Sequence, residues 1–182
     1  SCRSMNSGQR KTYVKTGSLL LATLVSMLAC AYAPTRVQET AGLARLVAAP
    51  HRSAGNVARD AYRHPLEVLG FFGIRDDSTV VEILPGSSGY YLEILAPHLK
   101  GKGLYIAANR DAAAPPQYLA DHRKLLARLK AEPALYEKVL VTQFNAGLHE
   151  IAPAGSADFV LTFRNLHNWI AREELDGALR AF

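Results

Sequence analysis

The sequence predicts an α/β fold built on a parallel, doubly wound sheet. Short β-branched runs alternate with stretches of helical spacing from residue 79 to the end of the chain. This alternation is typical of a parallel sheet whose two faces are covered by helices. A glycine-rich turn follows the first run, and the length of 182 residues suits one domain better than two.

The region before the first strand is predicted to be helical. Pro50 ends the first helix, Pro65 suits the first turn of the third, and Gly73 closes that third helix. The predicted helices cover residues 37–49, 56–62 and 66–72. We therefore assign residues 34–74 to an N-terminal helical segment that leads into the main domain.

Four strands are predicted in the main domain, residues 75–182. They cover residues 79–84, 104–108, 139–144 and 158–163. Helical spacing follows the first, second and fourth strands, around Tyr91, Ile94, Leu95 and Leu99 and over residues 118–130 and 172–182. Sheets of this class bind ligands beyond the carboxyl ends of their strands. The loops after the four strands should therefore hold the site.

The net charge of +5 comes from the N-terminus. The chain holds 21 Lys and Arg against 16 Asp and Glu, and four of the cations lie before Ser18. Removing these four leaves 17 cations against 16 anions, so the body of the chain is nearly neutral. Nucleic-acid surfaces need clustered cations that displace counterions. We therefore expect no nucleic-acid partner.

The two cysteines, Cys2 and Cys30, both lie in the first 30 residues. The body of the chain is therefore predicted to have no disulfide framework and no cysteine ligand for zinc. Its histidines also lack the spacing of metal ligands, so no metal site is predicted.

The N-terminus has the pattern of a secretory signal. A basic stretch precedes an apolar run over residues 18–33, and small residues close that run. The run is shorter than the roughly 20 apolar residues that span a bilayer. We predict that residues 1–31 are a signal peptide and that the protein is exported or periplasmic. Two alternatives stay open: the segment is an uncleaved membrane anchor, or Cys30 carries a lipid.

The glycine-rich turn over residues 85–89 allows a ligand to approach the backbone, because glycine has no Cβ. Dinucleotides place a pyrophosphate at such a turn, whereas S-adenosylmethionine carries a cationic sulfonium and no phosphate. Glu82 lies in the strand before the turn and would attract that cation. Gly86 and Gly89 also lack the full spacing of a dinucleotide site. The turn therefore favours S-adenosylmethionine over an NAD-type cofactor, and a simple tight turn is the structural alternative.

Three sequence blocks carry a resemblance to a known family. Residues 82–97 are similar to the first motif of class I S-adenosylmethionine-dependent methyltransferases. Residues 59–65 with 71–74, and residues 161–169, extend this to a family of predicted bacterial methyltransferases that often carry signal peptides. The resemblance covers residues 55–182. It implies a Rossmann-like sheet of the class I methyltransferase type and methyl transfer by direct displacement to an unknown acceptor.

The resemblance also implies which residues hold the cofactor. Glu82, Gly86 and Gly89 would line its methionine end. Asn109 stands where the family usually has an acid for the ribose hydroxyls, and an amide is a weaker hydroxyl acceptor than a carboxylate. Asn145 would contact the adenine edge or form an Asx turn. The full predicted cofactor set is Glu82, Pro85, Gly86, Ser87, Gly89, Tyr90, Asn109, Asp111, Asn145, Arg164 and Asn165.

The loop after the fourth strand, residues 164–169, is rich in polar and aromatic side chains. Methyl transfer is a direct displacement, so an enzyme mainly aligns the acceptor with the sulfonium. A base is needed only for a protonated acceptor, and His167 is the predicted catalytic residue for that role. The alternative is that His167 is a hydrogen-bonded residue at a helix start, with Asn165 or Asn168 as the cap. Trp169 is predicted to belong to the core.

The resembled fold has more strands than this chain is predicted to form. We expect its last strands to be missing here, which makes the main domain a partial one. In addition, S-adenosylmethionine is made in the cytosol, whereas the predicted signal directs export. This supports an alternative function, an exported, non-catalytic small-molecule-binding domain on a methyltransferase scaffold.

Overall fold

The computed structural model of the chain describes residues 39–110, 114–144 and 151–182. The predicted signal segment, Asp111 and Asn145 lie outside the described residues. Within the described ranges, no helix is long and apolar enough to cross a membrane.

Four helices precede the sheet in the described part of the chain. They are α1 (residues 39–47), α2 (Ala54–Val57), α3 (Asp60–Arg63) and α4 (Pro65–Phe72). The predicted helix over residues 56–62 is thus two separate turns, because the Arg59 amide donates to the carbonyl three residues back rather than four. His64 joins α3 to α4 in the left-handed region (φ 43°), which differs from the extended conformation that a following proline favours. Pro65 begins α4 and Gly73 ends it, as predicted.

Four strands form one parallel sheet. They are β1 (Thr79–Ile83), β2 (Leu104–Asn109), β3 (Leu140–Gln143) and β4 (Phe159–Thr162), in the order β3-β2-β1-β4. All pairings are parallel, with Glu82 opposite Ala107 on one side and Leu161 on the other. The predicted α/β fold with a parallel sheet is therefore confirmed. The strand order reverses between β1 and β4, because the chain adds β2 and β3 on one side before it returns.

Five helices follow β1 among the described residues. They are α5 (Leu92–Leu99), α6 (Pro116–Ala131), α7 (Pro133–Tyr136), α8 (Leu166–Ala171) and α9 (Leu175–Arg180). α9 is shorter than the predicted helix over residues 172–182. α8 lies where a loop was predicted, so the loop was wrong; the alternative, in which His167 stands at a helix start, agrees with the structure, and Asn165 is the N-cap residue. Burial stabilises this helix, since the Trp169 ring packs 5.5 Å from Phe144 and 6.0 Å from Phe182 between centroids.

Alternate residues of β1 face two different apolar clusters. Val80 packs in a cluster that includes Leu69 of α4 and the buried residues of α5. Val81 packs in a second cluster with Trp169 of α8 and Ala178 of α9. Helices therefore cover both faces of the sheet, and the side that a β1 side chain faces follows from the period of two along a strand.

A buried ionic network joins the N-terminal helices to α5 and α6. The Arg52 guanidinium donates to both carboxylate oxygens of Asp60, at 2.6 and 2.9 Å. Its Nε lies 3.6 Å from Glu93 Oε2, and Arg128 donates to Glu93 Oε1. Burial alone would raise the pKa of Glu93, but the hydrogen bonds from Arg128 and its other neighbours lower it. The carboxylate therefore stays charged in the interior.

Candidate functional site

A crevice opens beyond the carboxyl ends of β1, β2 and β4. Its volume is about 180 Å³, below the ~300 Å³ at which pockets for whole ligands begin, so it suits one part of a larger ligand. It lies where the strand order reverses, the position at which parallel α/β sheets bind ligands. The lining residues are Leu84, Gly86, Asn109, Arg110, Tyr118, Asp121, Asn165, Asn168, Trp169 and Arg172.

The turn between β1 and α5 faces the crevice through Gly86. This glycine has φ +70° and open space where a Cβ would stand, so a ligand can reach the backbone. Gly89 has a different role, because a Cβ there would lie 2.8 Å from Leu92 Cδ2. It allows the turn to pack closely on α5. Pro85 and Ser87 are half-buried in the same turn and do not line the crevice.

Asn109 ends β2 and contributes a buried amide to the crevice wall. Its Nδ2 lies 3.5 Å from His122 Nδ1. Its side-chain oxygen accepts no hydrogen bond from the described residues. An amide oxygen at this position has the chemistry to accept a hydrogen bond from a ligand hydroxyl.

One face of α8 and the residues flanking it form the opposite wall. These wall residues are Asn165, Asn168, Trp169 and Arg172, at helical spacing. Asn165 also holds the loop in place, because its Nδ2 donates to the last carbonyl of β1 at 3.2 Å and to a β4 threonine hydroxyl at 3.0 Å. It makes no side-chain capping bond to α8. The Asn165 amide thus links the ends of β1 and β4, the two strands between which the strand order reverses.

The Glu82 carboxylate lies away from the crevice, contrary to expectation. Its side chain is 4% exposed and accepts a hydrogen bond from the Tyr105 hydroxyl, on the face of the sheet that Val80 shares. Burial raises the pKa of Glu82 to about 7, although Tyr105 and Arg63 act in the lowering direction. The predicted attraction between this carboxylate and a cationic ligand in the crevice therefore has no geometric support.

The raised pKa of Glu82 predicts a pH dependence of stability that Glu82→Gln removes. The folded protein holds this proton up to about pH 7, whereas the unfolded chain releases it near 4.5, so the stabilisation is lost as pH rises between these values. From pH 5 to pH 8, we expect the free energy of unfolding of the natural chain to fall by about 2 kcal/mol relative to that of the variant. Urea unfolding of both proteins at pH 5 and pH 8 measures this change in the free energy of unfolding. Equal losses in the two proteins would contradict the raised pKa of this buried carboxyl.

Tyr90 is an interior anchor rather than a residue of the crevice. Its hydroxyl donates to Asp60 Oδ1 at 2.6 Å. The guanidinium carbons of Arg52, Arg59 and Arg63 lie 5.4, 5.0 and 4.6 Å from its ring centroid. Burial and the bond to Asp60 raise the pKa of Tyr90, so the phenol stays protonated. It attaches the turn after β1 to the N-terminal helices.

Arg164 and His167 are exposed and do not line the crevice. Arg164 adopts a left-handed backbone conformation (φ 63°) just before α8, and His167 is the second residue of that helix. The described carboxylate on the crevice is that of Asp121. The described residues include no group of three or more potential metal ligands.

The sequence reasoning missed the charged and aromatic residues Arg110, Tyr118, Asp121 and Arg172. The Arg110 guanidinium stacks on Tyr118 with its carbon 3.8 Å from the ring centroid. Arg172 Nη2 donates to the Tyr118 hydroxyl at 3.0 Å. The signal available was helical spacing: Tyr118 and Asp121 are three residues apart, and Arg172 follows Asn165 by seven.

The crevice thus combines an open glycine backbone, amide side chains, two guanidiniums and one carboxylate. Such groups bind a polar ligand through directed hydrogen bonds. No protein-family model, curated protein or solved structure matches the chain.

Proposed function

We propose that this protein is a class I, Rossmann-like S-adenosylmethionine-dependent methyltransferase, one part of whose cofactor binds in the crevice. The observation that carries the proposal is the convergence of Gly86 and Asn109 on one space where the strand order reverses. The sequence blocks that resemble class I methyltransferases support the same reading. The proposal leaves the methyl acceptor unspecified.

The roles within the proposed site follow from the donors and acceptors present. The Asn109 side-chain oxygen would accept from the ribose hydroxyls. The Gly86 backbone and the Asn165 amide would approach the methionine end. Because Glu82 faces the interior, this arrangement places no charged partner from β1 against the sulfonium.

The proposed chemistry is a single displacement. The acceptor forms a bond to the methyl carbon while the bond from that carbon to the sulfonium sulfur breaks, and S-adenosylhomocysteine leaves as a neutral thioether. The bond electrons return to sulfur, so no oxidant or reductant is involved. A deprotonated acceptor needs no base, and the protein's task is then alignment.

A gain of affinity tests this proposal more sharply than a loss. In Asn109→Asp, a carboxylate replaces the amide and accepts more strongly from ribose hydroxyls, so affinity for S-adenosylmethionine should rise about tenfold. Trp169 is the single tryptophan and lines the crevice, so its fluorescence reports binding directly. Titration of the full chain with the cofactor and with S-adenosylhomocysteine measures both affinities.

The matched control is Asn168→Asp, which adds the same charge on the opposite wall. It attracts the cationic cofactor generally but lies away from Asn109, so its gain should be smaller and absent with the neutral thioether product. No binding of either ligand by a folded sample would overturn the proposal. Equal gains in the two variants would remove Asn109 as the ribose partner.

The position of His167 outside the crevice favours a second candidate, an exported, non-catalytic binding domain on the same scaffold. Such a domain would bind the nucleoside without consuming it. Incubation with methyl-labelled cofactor and a mixture of small nucleophiles separates the two. Transfer of label supports the methyltransferase, and binding without transfer to any of them supports the binding domain.

A further inference from the structure

Two guanidiniums converge on one tyrosine at the mouth of the crevice. Arg110 follows β2 and stacks on the Tyr118 ring, with its guanidinium carbon 3.8 Å from the centroid. Arg172 follows α8 and donates to the hydroxyl of the same tyrosine at 3.0 Å. All three side chains line the crevice. The two cations therefore approach Tyr118 from opposite walls of the crevice.

The charge of Arg110 has no counterion among the described residues. It makes no ion pair there, whereas Arg172 lies 3.9 Å from Glu174. Burial lowers the pKa of Arg110 and the neighbouring charge of Arg172 acts in the same direction, whereas Tyr118 and the carboxylate of Glu174 act in the raising direction. Glu174 lies outside ion-pair distance of Arg110, so this half-buried cation keeps a desolvation cost that a bound anion would relieve. Asp121 also lines the crevice, but it forms no ion pair with either arginine.

Among the described residues, the contact with the Tyr118 ring is the one side-chain contact that Arg110 makes, and it does not use the hydrogen-bond donors. Tyr118 occupies a flat face of the guanidinium, while the N–H groups lie in its plane and point outwards. None of them makes a hydrogen bond with the described residues. A planar fork of N–H donors matches the two oxygens of a carboxylate or a phosphate. The amide of Asn168 adds a neutral donor on the same crevice.

We infer that the crevice contains an anion subsite, in which Arg110 and Arg172 bind a carboxylate or phosphate group of the ligand. This inference deepens the proposed function, and the assignment of the anion to cofactor or acceptor rests on that function. The group belongs either to the amino-acid carboxylate of S-adenosylmethionine or to the methyl acceptor. Both sources present the same chemistry to the arginines.

Inorganic phosphate is the direct probe of this subsite. Titration of the full chain should change the Trp169 fluorescence in a saturable way, at constant ionic strength set with chloride. Arg110→Gln should weaken phosphate binding about tenfold or more. Arg123→Gln, which changes an exposed arginine of α6 outside the crevice, should leave it unchanged. Unsaturable binding, or equal affinities in the two variants, would overturn the inference.

A second variant separates binding from folding. Arg172→Gln removes the other cation while Arg110 keeps its stack on Tyr118, and it should also weaken phosphate binding. Thermal unfolding of each variant reports any loss of structure. Retained phosphate affinity in both folded variants would contradict the subsite.

The source of the anion follows from comparing S-adenosylmethionine with 5′-methylthioadenosine, which lacks the amino-acid end. If Arg110→Gln weakens binding of the first and not the second, the subsite holds the cofactor carboxylate. If Arg110→Gln weakens the binding of neither nucleoside but still weakens the binding of phosphate, the subsite holds the acceptor. Phosphate binding without any nucleoside binding would sink the proposed function and leave the subsite standing. Nucleoside binding without phosphate binding would overturn the subsite and leave the proposed function standing.

Discussion

Glu93→Gln should lower the free energy of unfolding by about 3 to 5 kcal/mol, because it leaves buried guanidinium groups without their shared anion. The Glu93 side chain has no exposed surface and contacts both Arg52 and Arg128. It also accepts from the backbone amide of Ser53, at 3.1 Å. Its loss therefore weakens the attachment of the N-terminal helices to α5 and α6. Urea unfolding followed by circular dichroism measures the effect.

The matched control for this substitution is Glu137→Gln. Glu137 also pairs with a cation, Lys100, at 2.8 Å, but its side chain is largely exposed. Surface ion pairs contribute little to stability, so almost no change is expected. Similar losses in the two variants would show that the buried network does not hold the N-terminal helices in place.

Gly103→Ala should destabilise the fold by about 3 kcal/mol or more, because the new methyl group has no space. A Cβ at this position would lie 2.4 Å from the Ser78 carbonyl oxygen and 2.9 Å from that of Asp76. Both are backbone atoms, so no side chain can move aside. The Ser78 carbonyl also accepts from the Leu104 amide, where β2 begins beside β1. Displacing it disturbs the two central strands, and chemical unfolding measures the loss.

Gly101→Ala is the neighbouring control. No atom lies within 4 Å of a Cβ at Gly101, and its backbone does not adopt a left-handed conformation. Alanine there should leave stability unchanged or raise it slightly, since it restricts the unfolded chain. A Gly101→Ala variant as unstable as Gly103→Ala would mean that the loop itself, and not the contact with Ser78, is sensitive.

The main elements of the sheet could be predicted from local pattern. The β-branched run at Thr79 and the glycine turn after it mark β1 and the start of the next helix. Alternation of strands with helices then implies parallel pairing, because a parallel connection needs a crossover. These features depend on residues that are neighbours in the chain, so the sequence alone contains them.

α8 was missed because its polar residues suggested a loop. Asn165, Asn168 and Arg172 occupy one face of the helix, and that face is polar because it lines the crevice. The helix is stabilised by Trp169, which lines the same crevice wall and also packs against Phe144 and Phe182. These two partners are distant in sequence from the loop, so no local pattern indicates the burial.

The residues of the candidate site were also predicted only in part. Gly86, Asn109 and Asn165 were predicted from their positions after strands, and all three line the crevice. Glu82 was predicted to join them and does not. An acidic residue inside a strand faces one side of the sheet or the other. The packing of helices on the sheet decides whether that side chain is buried or reaches the crevice beyond the strand ends. The pairing of Arg110 with Arg172 through Tyr118 is also invisible in sequence, since three separate elements supply the groups.

Hydrophobic periodicity and turn residues were thus enough to predict a parallel α/β sheet and the edge at which the crevice opens. Long-range packing decided which side chains reach that edge, because each strand presents alternate residues to opposite faces. It turned the carboxylate of Glu82 towards Tyr105 and brought two arginines to one tyrosine at the crevice.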